Sequence, residues 1–385
     1  MSSDPSKSVA YDEIEIQLRE LQDKDRLRTL RERAGVDFTS NDYLGLAESV
    51  ELRQAAADAV ARGVPVGAGG SRLLRGNHFE HEALETEAAR YFGAETALYF
   101  GAGYTANVAI FSTLPQRDDM VLHDELVHAS VHEGMRHGRA ERRSVPHNDT
   151  EAFDTRLRQW RKAGGRGRPW MAVESVYSMD GDSPNLADLI AVADRHDATL
   201  VIDEAHATGV TGPDGRGLAA AFEGRDNLIT LHTCGKALGT SGGLVLAPKV
   251  VRDFLVNRAR PFIFATAPSP LIAAVTRVAL QISRTKPERR ERLAGLVAYA
   301  DRELRTRCGL ASSGSHILPV IVGADRKAVA LAGSLQRRGF DVRAIRPPTV
   351  AEGTARLRIA LSANLTERVI AELFDALAED LRHLS

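Results

Sequence analysis

The sequence has little of several features that would place it in a specialised class of protein. Its 385 residues include two cysteines, Cys234 and Cys308, which are too few for a disulfide framework or a cysteine-rich metal cluster. It has no run of eighteen apolar residues, so no transmembrane helix is predicted. The first eight residues are polar and lack the apolar core of a secretion signal. A cytoplasmic location is expected.

The sequence also lacks an excess of charge of either sign. Fifty Lys and Arg residues stand against 51 Asp and Glu residues, which gives a formal net charge of -1. No overall field therefore attracts nucleic acid or an anionic membrane surface, and neither is expected as a partner. Any anion that the protein binds must be held by local groups.

Apolar, strand-like runs alternate with longer amphipathic stretches over most of the chain. This alternation predicts an α/β fold with a mainly parallel sheet covered by helices. Helices are predicted at Val50–Val60, Phe79–Phe92 and Leu186–His196. Strands are predicted at Thr96–Phe100, Met120–His123, Trp170–Glu174, Thr199–Asp203, Leu228–His232 and Gly243–Ala247.

Three segments are predicted from length and pattern. An N-terminal arm, residues 1–46, carries a charged helical pattern over residues 11–35, and residues 47–280 form the large α/β domain. Residues 281–385 form a smaller α+β domain. Its predicted elements are the strands Ile317–Val322, Val342–Ile345 and Ala355–Leu361 and the helices Lys327–Arg338 and Glu367–Leu384.

The most informative feature is a lysine that follows one predicted strand and an aspartate that ends another. Asp203 closes the strand of Thr199-Leu-Val-Ile-Asp203, and Lys236 lies just beyond the next strand. An enzyme that uses pyridoxal 5'-phosphate (PLP) needs a lysine to form a Schiff base and a carboxylate to hold the pyridine nitrogen. The two residues together therefore indicate a PLP site.

A glycine turn follows the strand Thr96–Phe100. Gly101-Ala-Gly103 precedes a predicted helix, whose free N–H groups could bind a phosphate. The turn also fits the loose dinucleotide pattern Gly-x-Gly-x-x-Ala, and acids that could bind a ribose follow at Asp118, Asp119 and Asp124. A nicotinamide-dependent dehydrogenase is therefore an alternative, although it gives Asp203 and Lys236 no role.

Two further patterns suggest other enzymes. Asp203-Glu-Ala-His206 resembles an NTPase motif, but no phosphate-binding loop accompanies it, because Ala237 follows Gly235-Lys236. The stretch Gly239-Thr-Ser-Gly-Gly243 fits the serine hydrolase pattern Gly-x-Ser-x-Gly, which needs a strand before the serine and a helix after it. A predicted strand follows instead, so the hydrolase is disfavoured.

Motifs along nearly the whole chain resemble the α-oxoamine synthases. They are Ser40-Asn-Asp-Tyr-Leu-Gly45, Ser178-Met-Asp-Gly-Asp182, Asp203-Glu-Ala-His-Ala-Thr-Gly209, Thr233-Cys-Gly-Lys-Ala-Leu-Gly239 and Arg356-Leu-Arg-Ile-Ala-Leu-Ser362. The resemblance implies the PLP-dependent transferase fold of the aspartate aminotransferase type, with a large mainly parallel sheet domain and a smaller C-terminal α+β domain. Enzymes of this family condense a small amino acid with an acyl thioester and release CO2.

The resemblance also implies roles for individual residues. Lys236 would bond to the cofactor and exchange the substrate proton, Asp203 would pair with the ring nitrogen, and His128 would stack on the ring. The resemblance places six further residues around the cofactor or its phosphate, the last of them contributed by a partner subunit: Gly103, Tyr104, Ser178, Thr233, His206 and Thr266.

Substrate contacts follow from the same resemblance. Arg358 and Asn41, beside Ser178, would bind the amino acid, and Arg28 and Thr349 would contact the acyl substrate. Residues 69–76 and 345–350 most resemble members that join L-alanine to a pimeloyl thioester of coenzyme A or of an acyl carrier protein. A homodimer is implied. Members that use glycine and a short acyl-CoA, and a non-catalytic scaffold, are the alternatives.

Overall fold

A computed structural model of the protein describes residues 11–384, which fall into two compact units. The larger unit comprises residues 41–296 and 362–364, and the smaller one comprises 11–40, 297–361 and 365–384. None of the helices within the described range is long and apolar enough to cross a membrane.

The regular elements of the described residues alternate along the chain. The strands are β1 Val36–Asp37, β2 Thr96–Phe100, β3 Met120–Asp124, β4 Glu141–Val145, β5 Pro169–Glu174, β6 Thr199–Asp203, β7 Leu228–Thr233, β8 Gly243–Ala247, β9 Ile317–Gly323, β10 Phe340–Asp341, β11 Arg343–Ile345 and β12 Ala355–Ala360. The α-helices are α1 Asp12–Asp23, α2 Val50–Ala61, α3 Phe79–Phe92, α4 Gly103–Thr113, α5 Ala129–His137, α6 Thr150–Lys162, α7 Leu186–Arg195, α8 Lys249–Arg258, α9 Arg260–Ile263, α10 Pro270–Thr285, α11 Glu288–Cys308, α12 Asp325–Arg337 and α13 Glu367–Leu384.

A seven-stranded sheet forms the centre of the larger unit. Its strand order is β2-β8-β7-β6-β5-β3-β4. Neighbouring strands run parallel from β7 to β4, whereas β8 is antiparallel to both β2 and β7. The carboxyl ends of β5, β6 and β7 therefore meet at one edge of the sheet, where ligands of open α/β sheets bind.

Both faces of this sheet are covered, which explains the apolar strands. Every residue of β3, β5, β6 and β7 is buried, as expected for a parallel sheet between two helical layers. Successive side chains of β6 alternate between the faces: Val201 belongs to one apolar cluster with Ile110 of α4, and Leu200 belongs to another with Leu189 of α7.

The six strands predicted for the large domain are all present, three of them with the predicted limits and three extended by one residue. The edge strand β4 was not predicted. Its sequence, Glu-Arg-Arg-Ser-Val, exposes the first four residues. An edge strand protected by charged side chains carries no apolar signal.

The N-terminal helix is shorter than predicted. The expected helix over residues 11–35 ends at Asp23, and none of its residues is buried. Without an apolar face packed on a partner, the helical spacing of Leu27 and Leu30 does not produce a helix. Arg26 instead forms ion pairs with Asp325 at 2.6 Å and with Glu352 at 2.5 Å.

The smaller unit contains a three-stranded antiparallel sheet in the order β11-β12-β9. The helix α12 packs against β12 and α13. The short strand β1 pairs in parallel with β10, so residues predicted as a separate arm group with C-terminal residues. The boundary predicted near residue 280 lies instead between residues 296 and 297, within α11.

The turn between β2 and α4 approaches β7 closely. A Cβ atom placed on Gly103 would lie 2.4 Å from Cγ2 of Thr233, whereas one placed on Gly101 meets nothing within 4 Å. Thr233 is short and β-branched, so it cannot easily move away. Glycine is therefore required at position 103 by this packing.

Replacing Gly103 by alanine should destabilise the cofactor-free protein by about 1–3 kcal/mol, since the added methyl group overpacks the contact with Thr233. Gly101→Ala is the control, because its methyl group has room and alanine reduces the entropy of the unfolded chain. Urea unfolding of both variants measures the difference. Equal midpoints would show that the close approach does not constrain the fold.

Candidate active site

A cavity of about 280 Å³ lies at the edge of the sheet where β5, β6 and β7 end. Their last residues, Glu174, Asp203 and Thr233, all line it. The other lining residues come from the turn into α4, from α4 and α5 and from the segments after β6 and β7: Gly101, Ala102, Gly103, Tyr104, Asn107, His128, Ser130, Ala205, His206, Gly235, Lys236, Ser241 and Gly242. Lys236 and Asp203, from which a PLP site was predicted, thus line the same cavity.

Asp203 is buried and its carboxylate is held by two donors. The backbone N–H of Ala205 donates to Oδ1 at 2.9 Å, and Nδ2 of Asn107 donates to Oδ2 at 2.8 Å. The same amide nitrogen of Asn107 also donates to Oγ of Ser130 at 2.9 Å. Hydrogen bonds to a carboxylate favour its ionised form, so Asp203 presents a fixed negative charge to the cavity.

Lys236 is joined to a chain of hydrogen bonds. Its Nζ lies 2.8 Å from Nε2 of His206, and Nδ1 of His206 lies 2.6 Å from the hydroxyl of Tyr43. The Tyr43 hydroxyl donates to Oδ1 of Asn41 at 2.9 Å. Its oxygen therefore accepts from Nδ1 of His206, which leaves Nε2 as the acceptor for the Lys236 amine. The amine is thus oriented by a neutral imidazole.

His128 stands at the start of α5, where its ring lines the cavity. Its Nδ1 lies 2.8 Å from Oγ of Ser130, and its ring meets that of Tyr104 edge to face at a centroid distance of 6.3 Å. Burial lowers the pKa of His128 despite the nearby Asp203 carboxylate. A neutral ring is suited to lie against a flat aromatic ligand.

The N-terminus of α4 supplies backbone donors at the same cavity. The helix begins at Gly103, and its N-cap residue, Ala102, has no side chain that could satisfy the first N–H groups. Unsatisfied N–H groups and the positive end of the helix dipole favour an anion such as a phosphate. Gly103, Tyr104 and Thr233 line this part of the cavity.

Glu174 adds a second carboxyl group. The backbone N–H of Ser178 donates to its Oε2 at 3.1 Å, while its buried Oε1 has no hydrogen-bond partner among the described residues. Burial, together with the nearby Asp203, raises the pKa of Glu174 to about 8. The cavity therefore holds two carboxyl groups of different character.

A charged cluster anchors the segment that leads to His128. Oδ1 of Asp124, at the end of β3, accepts the N–H of Leu126 at 2.8 Å and lies 3.0 Å from Nδ1 of His147, whose Nε2 lies 2.8 Å from Asp182. Burial alone would lower the pKa of His147, but the two carboxylates raise it to about 10. The imidazolium thus ties together two turns beside the cavity.

These groups fit the PLP predicted from the sequence. The amine of Lys236 can react with the aldehyde of PLP, and the carboxylate of Asp203 can hold its ring nitrogen. The neutral imidazole of His128 suits its flat ring, and the uncapped N–H groups of α4 suit its phosphate. A buried oxygen of Asn107 without a partner among the described residues also lines the cavity. Across the described chain, no group of three or more His, Cys, Asp or Glu residues could hold a metal ion.

Other predicted residues lie outside the lining of this cavity. Ser178 contributes its backbone N–H to Glu174, and Thr266 lies on an exposed segment between α9 and α10. In the smaller unit, Nη2 of Arg28 donates to Oγ1 of Thr349 at 3.4 Å, and Arg358 is a buried residue of β12. Their roles toward substrate or partner subunit stay predictions.

The residues that the sequence did not predict for the site include three whose polar side chains are described above, Asn107, Tyr43 and Glu174. Asn107 lies one helical turn after the glycine pair, Tyr43 lies within the quoted Asn-Asp-Tyr-Leu-Gly motif, and Glu174 ends a predicted strand as Asp203 does. The signal for Glu174 was available, because neighbouring parallel strands place their last residues side by side. The contact of Asn107 with Asp203 depends on packing and has no local signal.

A larger cavity of about 740 Å³ lies near the other end of α4, with Ser112, Arg139 and Phe264 among its lining residues. It is lined by no lysine and no acid, so it lacks the groups for the predicted chemistry. Size alone therefore does not identify the functional site.

The alternative enzymes lose their support in the structure. Asp119, one possible ribose acceptor, instead accepts the N–H of Arg168 at 2.7 Å and the indole N–H of Trp170 at 3.1 Å. The serine of the hydrolase pattern, Ser241, is followed by the strand β8 and not by a helix.

Comparison with known proteins places the chain in a family. The family model of class I and II aminotransferases matches residues 33–377. An 8-amino-7-oxononanoate synthase of Anaeromyxobacter dehalogenans is 44% identical over 333 residues, which cover 86% of this chain and 82% of that protein. A putative 8-amino-7-oxononanoate synthase of Geobacillus kaustophilus is 39% identical over 382 residues, or 95% and 97% of the two chains.

Solved structures agree with this assignment. The serine palmitoyltransferase of Sphingomonas wittichii superposes with a TM-score of 0.87 at 26% identity and covers 99% of each chain. The 8-amino-7-oxononanoate synthase of Francisella tularensis gives a TM-score of 0.76, also at 26% identity, over 91% of this chain and 98% of that one.

The predicted PLP-dependent transferase fold is confirmed, and the dehydrogenase interpretation is wrong, because the family model and the structural likeness both extend over most of the chain. The chain therefore belongs to the class I and II aminotransferases and, among them, to the α-oxoamine synthases.

Proposed function

We propose that this protein is a PLP-dependent acyltransferase that joins L-alanine to a pimeloyl thioester with loss of CO2, forming 8-amino-7-oxononanoate for biotin biosynthesis. The observation that carries the proposal is the single cavity that holds Lys236, Asp203 and the uncapped start of α4. The identity of 39–44% to 8-amino-7-oxononanoate synthases supports this substrate pair.

PLP, when bound, supplies an aromatic ring that can accept the electrons of a deprotonated amino acid. The N–H groups of Gly103 and Tyr104 would hold the phosphate of PLP. The imidazole ring of His128 would lie against the pyridine ring of PLP. Asp203 would hold its ring nitrogen, since the donors Ala205 and Asn107 keep that carboxylate anionic.

Lys236 would hold the cofactor covalently and then move the substrate proton. Its amine donates to Nε2 of His206, which is in turn oriented by Tyr43. A neutral amine held at one place can remove the proton from the α-carbon of alanine and return a proton to the product. His206 and Tyr43 restrict where that amine points.

Substrate contacts are proposed from the family resemblance. Arg358 and Asn41 would bind the alanine carboxylate, because a guanidinium group matches a planar anion. Arg28 and Thr349 would contact the acyl chain, and their hydrogen bond at 3.4 Å supports a shared role. Ser178 would lie beside cofactor and substrate.

The acyl carrier and the assembly belong to the same proposal. The thioester would be carried by coenzyme A or by an acyl carrier protein. A homodimer would place Thr266 of one subunit near the phosphate in the other. A cytoplasmic location stays a prediction.

The substrate pair can be tested directly. Purified protein with PLP, L-alanine and pimeloyl-CoA should release CO2 and form 8-amino-7-oxononanoate, which mass spectrometry identifies. Glycine with acetyl-CoA and L-serine with palmitoyl-CoA are the comparison reactions. A faster reaction with either comparison pair would assign the chain to another activity of the family.

The covalent role of Lys236 predicts the site of a chemical label. Borohydride reduction in the presence of PLP should leave a pyridoxyl group on the peptide that contains Lys236, because only an amine in the cavity can meet the aldehyde. Lys236→Ala should lose the label and turnover, whereas the exposed Lys249→Ala should keep both. Label on another lysine would refute the assignment.

Asp203→Asn should lower kcat about 10- to 1000-fold, since a neutral amide loses the one to three pKa units by which a nearby carboxylate favours a protonated ring nitrogen. Asp119→Asn removes another buried carboxylate, away from the cavity, and serves as control. Steady-state rates with saturating PLP measure both. Equal losses would mean that Asp203 acts through folding only.

A further inference from the structure

Glu174 is a buried acidic residue of the cavity to which the proposed reaction assigns no role. It is the last residue of β5, its side chain is 2% exposed, and it lines the same cavity as Lys236 and Asp203. Oε2 accepts the N–H of Ser178, and Oε1 has no partner among the residues that the structure describes. An unsatisfied buried oxygen at a ligand cavity calls for an explanation.

The position of Glu174 is fixed by the sheet. The strands β5 and β6 are parallel, and Glu174 is paired in register with Asp203. Side chains paired in register point to the same face of a sheet, so the two carboxyl groups are neighbours. Two ionised carboxylates at such a place repel each other, and one of them keeps its proton.

The hydrogen bonds decide which group keeps the proton. Asp203 accepts a donor at each of its oxygens, Ala205 at Oδ1 and Asn107 at Oδ2, whereas Oε1 of Glu174 has no donor among the described residues. More donors favour the ionised form, so the negative charge belongs on Asp203. An oxygen without a donor is also where a carboxylic acid can carry its hydrogen.

The charged groups that face Glu174 agree with this assignment. Burial, and after it the Asp203 carboxylate, raise the pKa of Glu174 to about 8, while Lys236 lowers it. His128 is held neutral by burial, which lowers its pKa, and burial raises the pKa of Tyr177. Lys236 and the backbone N–H groups of Ser178 and His128 favour the ionised form of Glu174, and burial together with the Asp203 carboxylate outweighs them.

We infer that Glu174 is a neutral carboxylic acid beside ionised Asp203 and acts as a positioning residue of the cofactor site, because it keeps the pair at one negative charge located on Asp203. The single negative charge on Asp203 balances the positive charge of one protonated ring nitrogen of PLP. The cofactor part of the inference rests on the proposed function, whereas the protonation state is a property of the chain.

A merely structural role makes a different prediction. If Glu174 served only to hold the turn through the N–H of Ser178, its replacement would change stability and leave the pH dependence of cofactor binding as it was. Glu174→Gln separates the two roles, since the amide keeps an acceptor and a neutral donor but cannot ionise.

Glu204→Gln is the control. Glu204 is also fully buried, and burial raises its pKa to about 7. Its oxygens accept the backbone N–H groups of Leu218 and Ala219 at 3.0 and 2.7 Å, and it does not line the cavity.

The first measurement is an infrared titration of the full, cofactor-free chain. The wild type should show a protonated carboxyl band that disappears with a midpoint near pH 8, as the pKa of Glu174 requires. The component with this midpoint should be absent in Glu174→Gln and present in Glu204→Gln, which loses instead the component of Glu204, whose pKa is about 7. Absence from the wild type of a component that titrates near pH 8 overturns the inference without any need for the variant to fold.

The second measurement is the affinity for PLP between pH 6.5 and 9.5. Ionisation of Glu174 changes the charge of the pair that faces the ring nitrogen, so the ratio of wild-type to Glu174→Gln affinity should change about tenfold as the pH rises through 8, which corresponds to one pKa unit of coupling. Lys236 and PLP titrate in both proteins, so their effect cancels in the ratio of the wild-type affinity to that of Glu174→Gln. Glu204→Gln should follow the wild type.

The outcomes separate the inference from the proposed function. Tight PLP binding with parallel pH profiles for wild type and Glu174→Gln would refute the positioning role and leave the function intact. Failure of the wild type to bind PLP would refute the function, while the infrared band would still decide the protonation state of Glu174.

Discussion

The site depends on one ionised carboxylate kept inside a buried sheet edge. Asp203 ends β6 between two strands that are buried throughout, and its charge is tolerated because Ala205 and Asn107 donate to it. An unpaired buried charge costs several kcal/mol, so the surrounding turns and helices must keep these donors in place. The close approach of α4 to β7 at Gly103 brings Asn107 within reach.

The described side chains around Asp203 do not include a cationic histidine that would neutralise its carboxylate. Lys236 is oriented by His206 and Tyr43, and His128 is neutral through burial. The cationic imidazolium of His147 is paired with two other carboxylates, Asp124 and Asp182. The charge of Asp203 is thus left for a ligand and is not neutralised by a neighbouring histidine.

The parts of this arrangement that the sequence predicted are those with a local signal. Continuous apolar runs bounded by turns marked β5, β6 and β7, and the strand-end position of Asp203 followed from them. The edge strand β4 was missed because its residues are charged and exposed. The end of α1 at Asp23 was missed because spacing says nothing about whether an apolar face finds a partner.

Contacts between residues far apart in the chain could not be read from any single motif. Asn107 reaches Asp203 across 96 positions, and Tyr43 reaches His206 across 163. Both contacts depend on the sheet order, in which β5, β6 and β7 lie side by side although long segments separate them in sequence.

The packing of α4 accounts for the proposed difference in charge between Glu174 and Asp203, which are alike in residue type and strand position. Each takes its donors from the turn that follows its own strand, but only Asp203 is also reached by a side chain from α4. Each hydrogen bond to a charged form lowers the free energy of that form, so the additional amide of Asn107 favours placing the negative charge of the pair on Asp203. The chemistry of the cavity is therefore set as much by helix packing as by the acids themselves.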